Sequence, residues 1–427
     1  MQKFASRNSR NSTDHFYNIK ADLPDLPQPP LHPGEKRPIN KEDLLPLFPE
    51  GFIEHEISME REVPIPQKVL DVLGMYRPTP LIYADKLKEY LDTPAHIFFK
   101  YEGAGPTGSH KSNTAIVQAY LAAEEGVKRM STETGAGQWG SALSMACSSF
   151  NIDLSVFMVR VSYRQKPGRR IMMEMFGADV FESPGPRTDV GRKFFAQDPD
   201  HPGSLGIAIS EAIEVAVKDE GTKYSLGSVL DSVLLHQTVI GQEAQKQMIE
   251  FGMEPDIVIG CVGGGSNFAG LSFPFIGKNI RENGNTMFYA VEPKVCPTLT
   301  KGELKYDFGD SSGMTPLLHM HTLGMDFVPP PIHAGGLRYH GMAPLVSHLQ
   351  NRGYVDPVSF SEPDVFKAAR VFLRTEGILP APESAHAIAK VIEEADKARL
   401  ENREKVILFN LSGHGFFDIN AYEKNGH

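Results

Sequence analysis

The 427-residue chain has few of the residues that build cross-links or metal clusters. Its three cysteines, Cys147, Cys261 and Cys296, are odd in number and far apart. That excludes a disulfide framework and a paired-cysteine metal site, and it suggests a reducing compartment. No apolar run approaches the ~20 residues needed to span a bilayer. The opening stretch, MQKFASRNSRNSTDHFYNIK, lacks the apolar core of a secretory signal. Its Arg and Ser content leaves an organelle transit peptide as the alternative to the cytoplasmic location expected here. No run of five basic residues occurs, and 43 Lys+Arg against 53 Asp+Glu give a formal net charge of −10. Such a balance offers no broad positive face, so neither nucleic acid nor a membrane is expected as a partner. Tryptophan occurs once, at Trp139.

Proline is abundant in one place. Residues 1–50 hold eight of the 32 prolines, including Pro29-Pro30, with little periodic apolar pattern. Proline fixes φ and lacks an N–H, so this segment reads as an extended arm wrapping the body. From about residue 95 two periods alternate. HIFFKY (96–101), LSVFMVR (154–160), PDIVIGCV (255–262), MFYAVEP (287–293) and KVILFNLS (405–412) have strand character. NTAIVQAYLAAEEG (113–126), SEPDVFKAARVFLRTEG (361–377) and SAHAIAKVIEEADKARL (384–400) are helical, and QKPGRRIMMEMFGADV (165–180) reads helix, glycine, strand. Strands alternating with helices imply βαβ units and mostly parallel sheets, with ligands at the carboxyl ends of the strands.

Three glycine-rich loops follow strands. Gly103-Ala104-Gly105-Pro106-Thr107-Gly108 matches the dinucleotide fingerprint on paper. That reading needs an acid at the end of the next strand, but Glu124 and Glu125 fall at a helix end, and Pro106 removes an N–H donor. Gly263-Gly264-Gly265-Ser266-Asn267 lies between a strand and a helix. Successive glycine N–H groups at a helix start can cradle one small phosphate; the alternative is a tight turn. Glu133-Thr134-Gly135-Ala136-Gly137-Gln138 can present N–H groups to a carboxylate, or be a turn.

Lys111, in GSHKSN, enters the first turn of a helix, where an ammonium group is disfavoured. A lysine there either points to water or is not an ordinary charged lysine. One phosphate cradle plus one misplaced lysine suggests pyridoxal 5′-phosphate (PLP), joined to Lys111 as an imine.

With these residues in view, the chain resembles the tryptophan synthase β-chain family, most of all its second, divergent branch. The matching stretches are KYEGAGPTGSHKSN (100–113), ETGAGQWG (133–140), YRQKP (163–167), GCVGGGSN (260–267), VEP (291–293), EGILPAPESAHA (376–387) and LSGHG (411–415), in family order. The resemblance implies PLP fold type II: two three-layer αβα domains with mostly parallel sheets. It implies that Lys111 forms the Schiff base and that His110 contacts the cofactor phosphate. Gly263, Gly264, Gly265, Ser266 and Asn267 would bind that phosphate, and Ser412 would meet the pyridine nitrogen. Glu376 would lie near the cofactor ring. Glu133 would be the acid/base, and Thr134, Gly135, Ala136 and Gln138 would hold the substrate carboxylate. Gly263 would also lend a carbonyl to a monovalent cation, K+ or Na+. The implied reaction joins indole to L-serine. Implied partners are a second copy of the chain and, as an open matter, a tryptophan synthase α chain.

Two positions depart from the main branch. Trp139 replaces a histidine, and Arg338, in Ala334-Gly335-Gly336-Leu337-Arg338-Tyr339, replaces an aspartate thought to meet the substrate hydroxyl. Arginine suits phosphate better than a neutral hydroxyl, so O-phosphoserine is expected alongside or instead of serine. The alternative is a structural ion pair or a gate contact.

The expected organisation is an arm (1–50), a segment (51–94) joining the C-terminal domain, an N-terminal domain with a mobile subdomain (95–228) and a C-terminal phosphate-binding domain (229–427). Rival readings are threonine synthase, cysteine synthase or a serine/threonine deaminase, and beyond these a non-catalytic binding protein. Glu133 discriminates, because a deaminase or sulfhydrylase needs no acid facing an acceptor.

Overall fold

The computed structural model describes residues 2–5 and 9–425. In chain order its strands are β1 (His15–Tyr17), β2 (Glu62–Pro64), β3 (Leu81–Tyr83), β4 (His96–Tyr101), β5 (Arg129–Thr134), β6 (Asp153–Val159) and β7 (Asp179–Ser183). Then come β8 (Thr222–Ser225), β9 (Ile257–Cys261), β10 (Met287–Pro293), β11 (Glu303–Phe308), β12 (Leu317–Thr322), β13 (Asp356–Phe360) and β14 (Val406–Leu411). A six-stranded sheet runs β13-β10-β9-β14-β4-β3 and a four-stranded sheet runs β7-β6-β5-β8. Every pairing in the two sheets is parallel except β3 with β4.

The central strands of the larger sheet are covered on both faces, which is why they read as unbroken apolar runs. Ile97, Phe98 and Phe99 of β4, Val258 and Ile259 of β9, and Leu408 and Phe409 of β14 are all fully buried. The order β9-β14-β4 sets three strand ends side by side, although β4 and β14 are some 300 residues apart in the chain. The loops leaving them carry Gly263–Gly265, Ser412 and Lys111. The smaller sheet ends β5 at Glu133 and Thr134, next to the helix Gln138–Phe150.

Two expectations are corrected. β4 belongs to the six-stranded sheet, so the smaller unit starts after residue 101 and not at 95. Its apolar run pairs with β14, a partner that local sequence does not reveal. The arm is also not uniformly extended. β1 pairs with β2, short helices occupy Lys41–Leu44 and Glu50–Ile57, and Pro49 sits as the cap of the latter. Proline breaks helices from inside but is tolerated at their entrance. Among the described residues, no helix is long and apolar enough to cross a membrane.

Candidate active site

A cavity of about 390 Å3 opens between the two sheets, and residues from both line it: His110, Lys111, Glu133, Thr134, Gly135, Ala136, Gln138, Gly263, Gly264, Gly265, Ser266, Asn267 and Ser412. Thus all the candidate positions except Glu376 and Arg338 meet in one space.

Lys111 caps the helix Ser112–Glu124, and Gly108 before it has φ +75°, the turn that aims the lysine back. Its Nζ donates to the Gly227 carbonyl at 2.8 Å. Burial pushes this amine down to about 8, against the pull of Glu133. A partly neutral amine at a helix entrance removes the conflict with the dipole.

The loop after β9 is a cradle without side chains. A Cβ on Gly263 would meet the Gly336 carbonyl oxygen at 2.6 Å, one on Gly264 would meet Ser228 Oγ at 2.5 Å, and Gly265 has φ +109°. Gly265 is the entrance to the helix Ser266–Glu282, whose first N–H groups face the loop. Two buried polar atoms beside this loop have no partner: His110 Nδ1 and Ser228 Oγ. His110 Nε2 meets Ser266 Oγ at 3.2 Å, and burial pushes its imidazole down to about 3, so it is neutral. Unpartnered polar atoms around a glycine cradle fit a phosphate monoester, to which the Ser228 hydroxyl can donate. Ser412 Oγ lies 2.7 Å from Ser384 Oγ and 3.7 Å from Cys261 Sγ, so a hydroxyl and no acid stands at the end of β14. Glycine cradle, lysine and serine together fit PLP. Among the described residues, no cluster of three His, Cys, Asp or Glu could hold a metal.

On the other wall, Glu133 Oε2 accepts from Tyr224 Oη at 2.5 Å. Burial raises its carboxyl to about 7, while the Tyr224 hydrogen bond works the other way. Gly137 has φ +89° and caps the helix Gln138–Phe150, so the backbone of Thr134–Gln138 turns across the cavity. Trp139 Nε1 donates to Thr132 Oγ1 at 2.7 Å, and its ring packs on Gly227.

Two candidates lie elsewhere. Glu376 ends the helix Glu362–Glu376; its carboxylate accepts from the Leu87 N–H at 2.8 Å and pairs with Lys3 at 3.6 Å. It therefore lies outside the cavity wall that holds the other candidates. Seven residues on, in the same motif, Glu383 lines the cavity and accepts from Gln138 Nε2 (3.3 Å) and the Gly336 N–H (2.8 Å). The sequence contained this residue but not the helix break that decides which glutamate faces inward. Arg338 is buried, yet its side chain is not in the cavity wall, although Leu337 and Tyr339 are. Among the described residues its buried Nε has no acceptor, and no acid is among the groups that act on its charge, so no structural ion pair is seen. Among the wall residues that sequence reasoning missed are Ser228, Tyr224, Gly227 and Glu383. Glu124 is at the surface in an ion pair with Lys68, remote from any nucleotide role.

The cavity does not stop at the polar site. It continues past Leu226 and Val229 to Phe48, Phe52, Ile57 and Met59, and to Leu26 and Pro27 of the arm, as a mostly apolar passage.

Comparison with known proteins agrees with this geometry. The family of pyridoxal-phosphate dependent enzymes matches residues 72–413. The chain is 60% identical to the tryptophan synthase beta chain 2 of Aquifex aeolicus and 58% identical to that of Thermotoga maritima, each match covering 96% of both chains. It is 57% identical to the tryptophan synthase beta chain of Thermococcus gammatolerans, over 96% of this chain and 93% of the other. Among solved structures, the fold resembles threonine deaminase isoform 2 of Solanum lycopersicum (TM-score 0.62, 18% identity, 94% of this chain and 95% of the other). It also resembles an L-serine ammonia-lyase of Rhizomucor miehei (TM-score 0.60, 16% identity, 81% and 96%). The α/β architecture is that of fold type II PLP enzymes, and the chain belongs to the tryptophan synthase β-chain family.

Proposed function

We propose that the protein makes L-tryptophan from indole and L-serine by PLP-dependent β-replacement. The observation that carries this is the meeting of Lys111, the glycine cradle, Ser412 and Glu133 in one cavity with an apolar extension. Identity of 57–60% to proteins named tryptophan synthase beta chain supports it.

When bound, PLP supplies the electron sink that acidifies the serine α-carbon and lets its β-substituent leave. Gly263–Asn267, His110 and Ser228 would hold its phosphate, and Ser412 would offer a hydroxyl to its ring nitrogen. A hydroxyl there, in place of a carboxylate, would not draw a proton onto that nitrogen, which would temper the sink and favour replacement over transamination. Lys111 would serve as the base for the serine α-proton; an amine near 8 is suited to that work. Thr134–Gln138 would hold the carboxylate. Glu133, raised by burial to about 7, can give a proton to the departing hydroxyl and take one near the indole. The apolar passage suits indole and excludes water. Mixing the protein with PLP, serine and indole should yield tryptophan, and Lys111→Ala should not; no product with the active-site lysine intact would refute the reading.

A second donor is favoured by one observation. Arg338 is 94% buried with an unpaired Nε and sits between two wall residues. We propose that O-phosphoserine is accepted, with Arg338 turning inward to its phosphate. A kcat/KM that favours serine and is unchanged in Arg338→Ala would reject this.

A homodimer, a tryptophan synthase α chain as partner, a monovalent cation at the Gly263 carbonyl and a cytoplasmic location are also proposed. Native mass, alone and with an α chain, and activity in K+ against Na+ test the first three.

A further inference from the structure

β8 pairs with β5 so that Tyr224 stands opposite Ser131, two residues before Glu133. Side chains two apart on a strand share a face, so Tyr224 and Glu133 project from the same side of the sheet. The phenol reaches across and donates to Glu133 Oε2 at 2.5 Å. Tyr224 is itself fixed from behind. Its backbone N–H donates to the Leu47 carbonyl at 2.8 Å, and its ring lies 5.7 Å from that of Phe48. The segment before the helix Glu50–Ile57 therefore braces the residue that holds the acid/base.

We infer that Tyr224 is the positioning residue of this site: its hydroxyl pins one carboxylate oxygen of Glu133, turns the other toward the cavity, and stabilises the ionised carboxylate. This rests on the reading of Glu133 as the acid/base. Two influences act on that carboxyl in opposite directions. Burial favours its neutral form, and a phenol hydrogen bond favours the anion. Burial alone would make Glu133 hold its proton too tightly to give it to the departing hydroxyl. The other charged or titratable groups that face the pair are Lys111, which favours the anion, Tyr339, which also faces Glu133, and Asp310. All three hold the Tyr224 proton in place or leave it undisturbed, since burial pushes its own ionisation well above 10.

The test uses the PLP-loaded enzyme with indole and two amino-acid donors. Serine must lose hydroxide with a proton from Glu133. 3-Chloro-L-alanine loses chloride, which needs none. Tyr224→Phe should lower kcat about 10-fold with serine and less than about 3-fold with 3-chloro-L-alanine, with KM for serine within about 2-fold. The Glu133 ionisation in its kcat profile should move up by about one pH unit. Placing 3-fluorotyrosine at position 224 keeps the ring and the hydroxyl but makes a stronger donor, so that ionisation should move down. This second variant decides the matter if the phenylalanine variant does not fold. An ionisation that stays put in both variants, or an equal loss with both donors, overturns the inference. Glu133→Gln separates the two claims. If it keeps serine activity, the acid/base reading falls; if it loses that activity while the Tyr224 variants are unshifted, only the role of Tyr224 falls.

Discussion

Lys111 and Gly227 are joined by a 2.8 Å hydrogen bond from the lysine Nζ to the glycine carbonyl. Gly227 has no room for a side chain, because an added Cβ would lie 2.4 Å from the Trp139 ring. The amine that would carry the cofactor is thus placed by a residue 116 positions away in sequence, at the junction of the two sheets.

Cofactor capture should depend on pH in one direction. Only a neutral amine attacks an aldehyde, and burial brings the Lys111 amine down to about 8. The rate at which apoprotein gains absorbance near ~410 nm with PLP should rise with pH and level off above about 8. Lys111→Ala should show no such band, and borohydride followed by peptide mapping should label position 111 alone.

Trp139 is the single tryptophan and lines the same cavity as Lys111. Its emission should therefore report cofactor binding without interference from other indoles. Titration with PLP should quench most of the fluorescence, and borohydride should make the quenching permanent. Emission unchanged by saturating PLP would place the cofactor elsewhere.

Two glutamates seven residues apart should behave differently. Glu376→Ala removes the partner of the Leu87 N–H and of Lys3, which costs stability of about 1–3 kcal/mol and leaves kcat near the wild-type value. Glu383→Ala frees Gln138 and the Gly336 N–H, and positioning losses of this kind cost roughly 10-fold or more in kcat. Thermal melts and steady-state rates on both variants check the pair.

Glu133 should make the fold less stable as pH rises. Its carboxyl ionises near 4.5 in the unfolded chain and near 7 in the folded one. Between these values the unfolded state binds fewer protons, so stability falls with pH and is lowest above about 7. Glu133→Gln removes the dependence. Its Tm should match the wild type near pH 4 and exceed it above pH 7, with a gain of up to ~3 kcal/mol. A gain at pH 4 as large as at pH 8 would contradict this.

Much of the larger sheet was legible because its strands are long apolar runs. β4, β10 and β14 fall where the periodicity puts them, as do the helices Glu362–Glu376 and Pro382–Glu401. β8 was not legible: Thr222–Ser225 is four residues with a lysine in it, and its partner β5 carries Ser, Thr and Glu. Tyr224 went unseen with it. Ser228 was hidden for a related reason, since it belongs to no motif and reaches the glycine cradle only through the loop after β8. β11 and β12 pair as a hairpin whose outer strand alternates exposed and part-buried residues, a weak signal beside the apolar core strands.

By itself the sequence determined the chemistry: its local pattern supplied a lysine at a helix entrance and a run of glycines after an apolar strand, and its likeness to a known family marked an acid before a second glycine loop and a serine after the last strand. Each is local, because backbone freedom and helix-end potential act within a few residues. Tertiary structure alone decided which groups share a space and which way they face. It ranked Glu383 over Glu376, turned Arg338 out of the cavity wall, and set Tyr224 against Glu133, because those relations depend on strand order, strand register and helix ends that bring together residues tens to hundreds of positions apart.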